Sequence, residues 1–531
     1  MDKIFHQLPY SETGYFSRLV LDYLSENELV KPFYNYSPNL QGIQEAISNR
    51  SQFPVNRTVL VDTLKKQYAA IPVSEATAIN LNLLTNENTF TVTTAHQPNL
   101  LTGYLYFVYK IVHAIKLCKE LKDKYPEKNF VPIYYMGSED NDIEELGVFS
   151  FRGEKYIWDG SGQSGAVGRM HTDGLKPLFT KLISVLGPPS QNCSQLEELI
   201  KAAYYNHSTI GEATQYIVNE LFGDFGLIIM NPDDRNFKTL FIDVLQDELL
   251  HQNSYTVLLN QIEKLSKNYK VQANPRNINL FYLKDNLRER IEKKGSEWFV
   301  LNTEIKFTES ELLTELNTYP ERFSPNVMLR GMYQETILPN IAFIGGGGEL
   351  AYWLQLKTLF ESYGVFYPCL LLRQSVLWID NRNSEVRKKM GINSSDLFLK
   401  ETQLLYKYIE NNTDADFHTQ AELIEFDLIL NKLKNKATLI DLTIIKSADA
   451  TLAKIKHHLI ALDKKMYRAQ KRKMEVQLNK VIKLQQKLFP NNSLQERVEN
   501  FSEYYLEYGD LFINTLFNVI SPLSNEFLII E

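Results

Sequence analysis

Cysteine is scarce in this chain: 531 residues contain three, Cys118, Cys193 and Cys369. So few and so scattered, they cannot build a disulfide framework, and no pair has zinc-ligand spacing. Positive charge has no surplus, since 57 Lys and Arg stand against 64 Asp and Glu. That balance argues against a dedicated nucleic-acid binder. Long apolar runs are absent too. No stretch approaches the ~20 residues that span a bilayer, and the most apolar one, Tyr104 to Ile115, is broken by Lys110 and His113. The opening MDKIFHQLPYSETGYF lacks the apolar centre of a signal peptide. There is no G-x-S-x-G elbow, no H-E-x-x-H, no C-x-x-C and no kinase signature. These absences leave a soluble protein of a reducing compartment, expected in the cytoplasm, with no nucleic-acid or membrane partner and no metal-binding cluster.

The chain is 44% hydrophobic and 12% aromatic, enough for a sizeable core. Its first 85 or so residues show no clean period, but from Thr89 strands and helices alternate. TFTVTTA (89–95) is a β-branched strand, a turn follows, and Tyr104 to Leu121 has helical spacing. FVPIYYM (130–136), GLIIMN (226–231), NIAFIG (340–345) and VFYPCLLL (365–372) are further apolar runs of strand length. Such alternation predicts an α/β fold with a doubly wound parallel sheet. We expect a doubly wound core over residues 1–384, with inserted segments near 152–225 and 240–335, the latter mostly helical with some short strands.

Beyond about 385 the pattern changes. Apolar side chains at 452, 455, 459, 462, 466 and 469 slip phase and continue at 474, 478, 481 and 488. This is a coiled-coil-like seam interrupted near 470, on a helix about 66 Å long at 1.5 Å per residue. Segments near 395–410 and 419–435 could supply an antiparallel partner. We read 385–500 as a helical arm and 501–531 as a return to the core. The seam leaves apolar surface that a homodimer would bury, although an intramolecular hairpin could hide the same surface. The neighbouring pair His457-His458 and the basic run KKMYRAQKRK (464–473) read as solvated faces of this arm.

In a doubly wound sheet, ligands bind beyond the carboxyl ends of the strands, so the residues after each strand are the candidates. The first strand is followed by His96, Gln97, Asn99, Thr102 and Gly103, which either meet an anion at a helix start or simply make a capped turn. After the second come Ser138, Glu139, Asp140 and Asp142, then Glu145; crowded acids call for an ammonium group, Mg²⁺ or a partner cation, or else form a solvated helix start. The third strand leads into Asn231-Pro232-Asp233-Asp234-Arg235, where a local salt bridge is the simpler account. Gly345, Gly346 and Gly348 with Glu349, Tyr352 and Trp353 follow the fourth strand, and open amides there suit a phosphate or carboxylate. No P-loop ending is present. The fifth strand ends in Arg373 and Ser375; the guanidinium could hold a ligand carboxylate bidentately or pair with Glu349.

Taken in order, Gln97 with Leu101-Thr102-Gly103, Ser138-Glu139-Asp140-x-Asp142 with Glu145, Gly345-Gly346-x-Gly348-Glu349-x-Ala351-Tyr352-Trp353 and Arg373-x-Ser375 resemble the cysteine-adding ligase family of bacillithiol biosynthesis. The chain departs from that pattern at Ala95-His96, where the family commonly has Gly-Gln, and at Tyr104, Asn141 and Gly347. The resemblance implies a Rossmann-like core, a coiled-coil arm that dimerises, and a ligase joining L-cysteine to glucosaminyl-malate. It also implies carboxylate activation by ATP or another nucleotide, with or without Mg²⁺. On that reading Asp142 is the candidate base, with Glu139 and Asp140 as electrostatic anchors. The alternatives are another nucleotide-dependent transferase or synthetase, or a non-enzymatic coiled-coil scaffold.

Overall fold

The computed structural model describes residues 5–413 and 419–531; part of the expected arm, 414–418, lies outside the described residues. The described chain forms two compact units. The first runs to Trp378 and takes back Ser493–Ile530, and the second holds Ile379–Asn492 with Glu531.

At the heart of the first unit is a parallel sheet of β1 (Thr89–His96), β2 (Asn129–Met136), β3 (Ile228–Met230), β4 (Asn340–Gly345) and β5 (Cys369–Leu372), in the spatial order β5-β4-β1-β2-β3. From β1 the chain steps outward through β2 and β3, then returns to the other side of β1 for β4 and β5. Strand order therefore reverses between β1 and β4, and a crevice opens beyond their carboxyl ends. The register keeps those ends level: Thr89 pairs with Asn129 and His96 with Met136, while Thr94 pairs with Ile344.

Every residue of β1 is buried, although four of the eight are threonines, because both faces are covered. With a period of two, Phe90 and Val92 face one way. They join one core cluster with Ile43 and Ile47 from helix Leu40–Arg50, and with Ala114, Leu117 and Leu121 from α1 (Tyr106–Lys124). Thr91 and Thr93 face the other way and donate to Asn340 Oδ1 at 3.3 and 2.9 Å. Asn340 in turn bonds Glu335 of α2 (Val327–Ile337) at 2.8 Å. Buried hydroxyls are tolerated here because each finds an acceptor.

Two long excursions interrupt the sheet. Between β2 and β3 lie the hairpin Val148–Phe151/Glu154–Ile157 and helices Lys176–Ser184, Gln191–Asn206 and Ile210–Phe222. Between β3 and β4 come helices Arg235–Thr239, Ile242–Leu250 and Asn253–Ser266, and then a five-stranded antiparallel sheet running from Leu280 to Pro325, with helix Glu309–Thr318 before its last strand. Helix still outweighs strand across 240–335, as expected, but the short strands there join into one sheet. Its longest strand, Leu287–Lys294, reads LRERIEKK and buries only Ile291, so charge hides the alternation that marks a strand. A third, three-stranded sheet places Glu526–Ile530 between Phe5–Pro9 and Val376–Trp378.

In the second unit, α4 (Gln420–Ile440) runs antiparallel to α5 (Ile444–Lys473). Thr419 bonds Asp463, Asp427 bonds Lys456 and Lys434 bonds Asp449, so one number falls as the other rises. The seam break falls at Met474, where backbone angles of −104° and 14° separate α5 from α6 (Glu475–Leu488). Leu452, Ile455 and Leu459 are half-buried, and Leu478, Val481, Leu484 and Leu488 are fully buried. The hairpin thus covers part of the surface that the dimer expectation invoked, while Ile424, Leu428, Ile429 and Leu433 on α4 stay exposed.

Candidate active site

A cavity of about 320 Å³ opens at the switch point. Its wall takes Ala95, His96 and Gln97 from the end of β1, Gly137 to Asp140 after β2, and Gly346 to Glu349 after β4. Other elements add Tyr106 and Lys110 of α1, Arg330 of α2, Arg288 of the antiparallel sheet and Arg497 of the returning segment.

The acidic side begins with Glu139, which is 8% exposed. Its carboxylate forms an ion pair with the fully buried Lys238 and accepts from Ser324 Oγ at 3.2 Å. Burial pushes its carboxyl above the ordinary value even though the Lys238 charge opposes this. Ser138 donates to Asn231 Oδ1 at 2.5 Å, tying the β2 turn to the β3 turn. Asp233 in that second turn is held by two 2.6 Å bonds from Arg169, so the expected local pair within 231–235 goes instead to a distant arginine. Asp140 is partly open: it accepts from Gln97 Nε2 at 3.1 Å and lies 4.0 Å from Arg288. Glu145 shares this wall, and burial, followed by the charges of Asp142 and Asp140, raises its carboxyl.

Asp142 stands apart. It is exposed, does not line the cavity, and caps the short helix Ile143–Leu146 by accepting from Glu145 N–H at 3.2 Å. The structure thus gives the expected base, Asp142, a capping role outside the cavity wall. Among the expected acids, Glu139 and Asp140 remain in the wall.

Asn99, Thr102 and Gly103 are likewise absent from the wall. Leu101, Thr102 and Gly103 all have positive φ, at 47°, 63° and 69°. The turn is held in that strained form by Asn500, which donates to the carbonyls of Leu101 and Gly103 at 2.8 and 2.5 Å, and by Tyr204 on Leu101 N–H at 2.6 Å. A Cβ on Gly103 would sit 2.9 Å from that of Asn99, which is a steric reason for glycine. In this structure the three residues shape a turn beside the cavity's wall and not the wall itself.

On the glycine side, Gly346 N–H donates to Glu349 Oε2 at 2.9 Å, and Glu349 forms an ion pair with the buried Lys110. Lys110 also donates to the Ala95 carbonyl at 3.0 Å, and burial lowers its pKa. Gly347 and Gly348 remain in the wall at the start of α3 (Gly347–Trp353), whereas Gly345 ends β4 inside the sheet. Tyr352 accepts from Arg330 Nη2 at 2.5 Å and faces the cavity. Trp353 points away, its ring 4.5 Å from Phe343 and 5.5 Å from Phe360 in the core.

Arg373 is the sharpest correction. Its guanidinium does hold a carboxylate bidentately, but the carboxylate is Glu496, at 2.7 and 2.6 Å, and not a ligand or Glu349. Ser375 Oγ donates to the same Glu496 at 3.1 Å. Arg373 Nε has no hydrogen-bond partner among the described residues, and Arg373 contributes to the wall beside Gly346. Glu496 could not be paired with Arg373 by sequence, since 123 positions separate them.

His96 is buried against Tyr106 and Phe107, with ring centroids 5.3 Å away in each case. Burial, then the charges of Lys110 and Arg373, press its pKa well below the ordinary histidine range, so the imidazole is neutral. Its Nε2 has no hydrogen-bond partner among the described residues. The cations Lys110, Arg288, Arg330 and Arg497 were missed by the sequence reading. Only Lys110, one polar residue inside an apolar helix, carried a visible signal. Among the described residues, no group of three or more His, Cys, Asp or Glu side chains is placed to hold a metal ion, and no helix is long and apolar enough to cross a membrane.

Residues 4–374 match the family model described as bacillithiol biosynthesis BshC, N-terminal Rossmann-like domain, and residues 376–531 match the corresponding C-terminal coiled-coil domain. Similar curated proteins bear the name "Putative cysteine ligase BshC". The one from Flavobacterium psychrophilum is 43% identical over 527 residues, covering 99% of both chains. The one from Christiangramia forsetii is also 43% identical, covering 98% of each chain, and that from Cytophaga hutchinsonii is 37% identical over 96% of this chain and 95% of its own. With both of its domains matched in order, the chain belongs to the bacillithiol biosynthesis BshC family.

Proposed function

We propose that the switch-point cavity joins L-cysteine to glucosaminyl-malate, completing bacillithiol by carbon–nitrogen bond formation in the cytoplasm. The observation that carries this reading is the composition of the wall, where carboxylates (Glu139, Asp140, Glu145) face cations (Lys110, Arg288, Arg330, Arg497) across one cavity. Cysteine brings an ammonium group and a carboxylate, and the malate moiety brings carboxylates, so a wall of both signs fits the two substrates together.

A free carboxylate does not form an amide with an amine in water, so the cysteine carboxylate needs activation. ATP or another nucleotide supplies it, by forming an adenylate or an acyl phosphate whose phosphorus group leaves as nitrogen attacks. On this reading Arg330, Arg497 and the open side of Gly347 and Gly348, all in the wall, take the phosphates, with any Mg²⁺ arriving on those phosphates. Asp140, partly open and steadied by Gln97, is the group suited to take the proton that the attacking amine loses. Glu139, already paired with Lys238, anchors the ammonium side electrostatically. The exposed apolar residues of α4 support a homodimer through the arm, and light scattering at micromolar concentration tests it.

The decisive experiment incubates purified protein with cysteine, glucosaminyl-malate and ATP and looks for the conjugated thiol by mass spectrometry. Product that depends on all three supports the reading. Nucleotide consumption with a different acceptor would make the protein another synthetase. Binding of none of the three would leave the scaffold reading.

A further inference from the structure

Behind the cavity wall, an ordered chain of polar groups runs from Arg330 into the central sheet. Arg330 lies over the Tyr135 ring, 5.4 Å from its centroid, and donates to Tyr352 and, at 3.4 Å, to Gln334 Oε1. Gln334 Nε2 donates to Glu335 Oε1 at 2.7 Å, and Asn340 Nδ2 donates to the same oxygen at 2.8 Å. Gln334 and Asn340 are fully buried and Glu335 is 1% exposed, yet Glu335 Oε2 has no hydrogen-bond partner among the described residues.

The direction of each bond is forced. A guanidinium only donates and a carboxylate only accepts, whereas an amide has one end of each kind. Glu335 therefore selects the NH₂ end of Gln334 and leaves its carbonyl facing Arg330. Reversing that amide would set donor against donor at one end and acceptor against acceptor at the other.

We propose that Glu335 is a positioning residue for the reaction: through Gln334 it fixes the direction in which Arg330 presents its guanidinium to an anionic group, carboxylate or phosphate, in the cavity. This rests on the ligase reading of the cavity. Burial brings the Glu335 carboxyl up to about 7, against the bonds from Asn340 and Gln334 and the charges of Arg50 and Arg330. Arg50, from helix Leu40–Arg50, reaches the backbone carbonyls of Glu335 and Leu338 at 3.5 and 2.7 Å. Arg330 and Gln334 face Glu335 from its own helix, and Asn340 faces it from β4. Protonation removes the charge that selects the amide end, so Arg330 is held best above the Glu335 midpoint.

The test is arginine-selective ¹⁵N NMR on the full chain, with Arg330→Lys identifying the Arg330 signal. In the wild type that signal should shift with a midpoint near 7, and the shift should vanish in Glu335→Gln. Calorimetry with Mg-ATP, glucosaminyl-malate and cysteine in separate arms then finds the anion concerned. Its dissociation constant should rise about tenfold in Glu335→Gln at alkaline pH, the scale of one hydrogen bond to a charged group. Gln334→Met, which breaks the relay and leaves Glu335 in place, should show the same loss. An Arg330 signal that ignores pH, or that shifts identically in Glu335→Gln, overturns the proposal, as does unchanged affinity in both relay variants. The expected NMR shift with no binding in any arm would defeat the ligase reading and leave the positioning role standing.

Discussion

The turn after β2 and the turns after β4 and β5 occupy equivalent places at the ends of parallel strands, and both concentrate charge, yet they use it differently. After β4 and β5 most charges are committed to other parts of the chain: Glu349 to Lys110 and Gly346, Arg373 to Glu496. After β2 the commitment is graded. Glu139 is buried on Lys238, Asp140 is half-open beside Gln97 and Arg288, and Asp142 faces solvent as a cap. A position at a strand end brings a residue near the crevice. Burial and the availability of an internal partner then decide whether it is left for a ligand.

The hardest way to break this contrast is on the closed side. Glu496→Ala leaves the buried Arg373 guanidinium without its carboxylate and should cost about 3–5 kcal/mol, the penalty for stranding one member of a buried pair; a urea midpoint that barely moves would mean Arg373 is compensated elsewhere. Next is Glu335, whose carboxyl rises from 4.5 to about 7 on folding. The folded state then binds its proton more tightly than the unfolded chain does, so stability should fall as pH rises through that window and level off above it. At about 1.4 kcal/mol per unit the full difference is on the order of 3 kcal/mol, and thermal melts of Glu335→Gln should lack that slope.

On the open side, Asp140→Asn should fold normally and lose thiol synthesis by about 100-fold, the lower end expected for a lost proton acceptor; product yield by mass spectrometry reads this directly. The smallest effect belongs to Asp142→Ala, a lower melting temperature worth about 1 kcal/mol for a helix cap, with activity largely kept. If Asp142→Ala were stable and inactive while Asp140→Asn kept its activity, the grading of the acidic turn would be inverted.

The core strands and the strand-end turns that frame the crevice were legible because local signals carry them: β-branched runs, apolar blocks and the turns that follow; the spatial order of the strands was not. Ser138, Glu139, Asp140, Gln97, Gly346, Gly348, Glu349, Tyr352 and His96 do meet at one cavity. The antiparallel insertion was hidden by its charged strand Leu287–Lys294. Arg288, Arg330 and Arg497 were hidden because nothing local distinguishes an arginine that a distant segment will carry to the cavity. Arg373 shows the same limit in reverse. Its chemistry was read correctly as bidentate, and its partner could only come from tertiary structure.

The sheet that sets Glu526–Ile530 between Phe5–Pro9 and Val376–Trp378 has a consequence for synthesis on the ribosome. The central strand of that sheet is translated after both of its neighbours, and Glu496 emerges long after Arg373. Until residues 493–530 leave the exit tunnel, the nascent chain carries an unneutralised guanidinium and two strands with no template between them. The parallel core can therefore collapse early, but the crevice it frames matures only once residues 493–530 have emerged, so chains stalled or clipped before residue 496 should keep that sheet open and Arg373 unpaired.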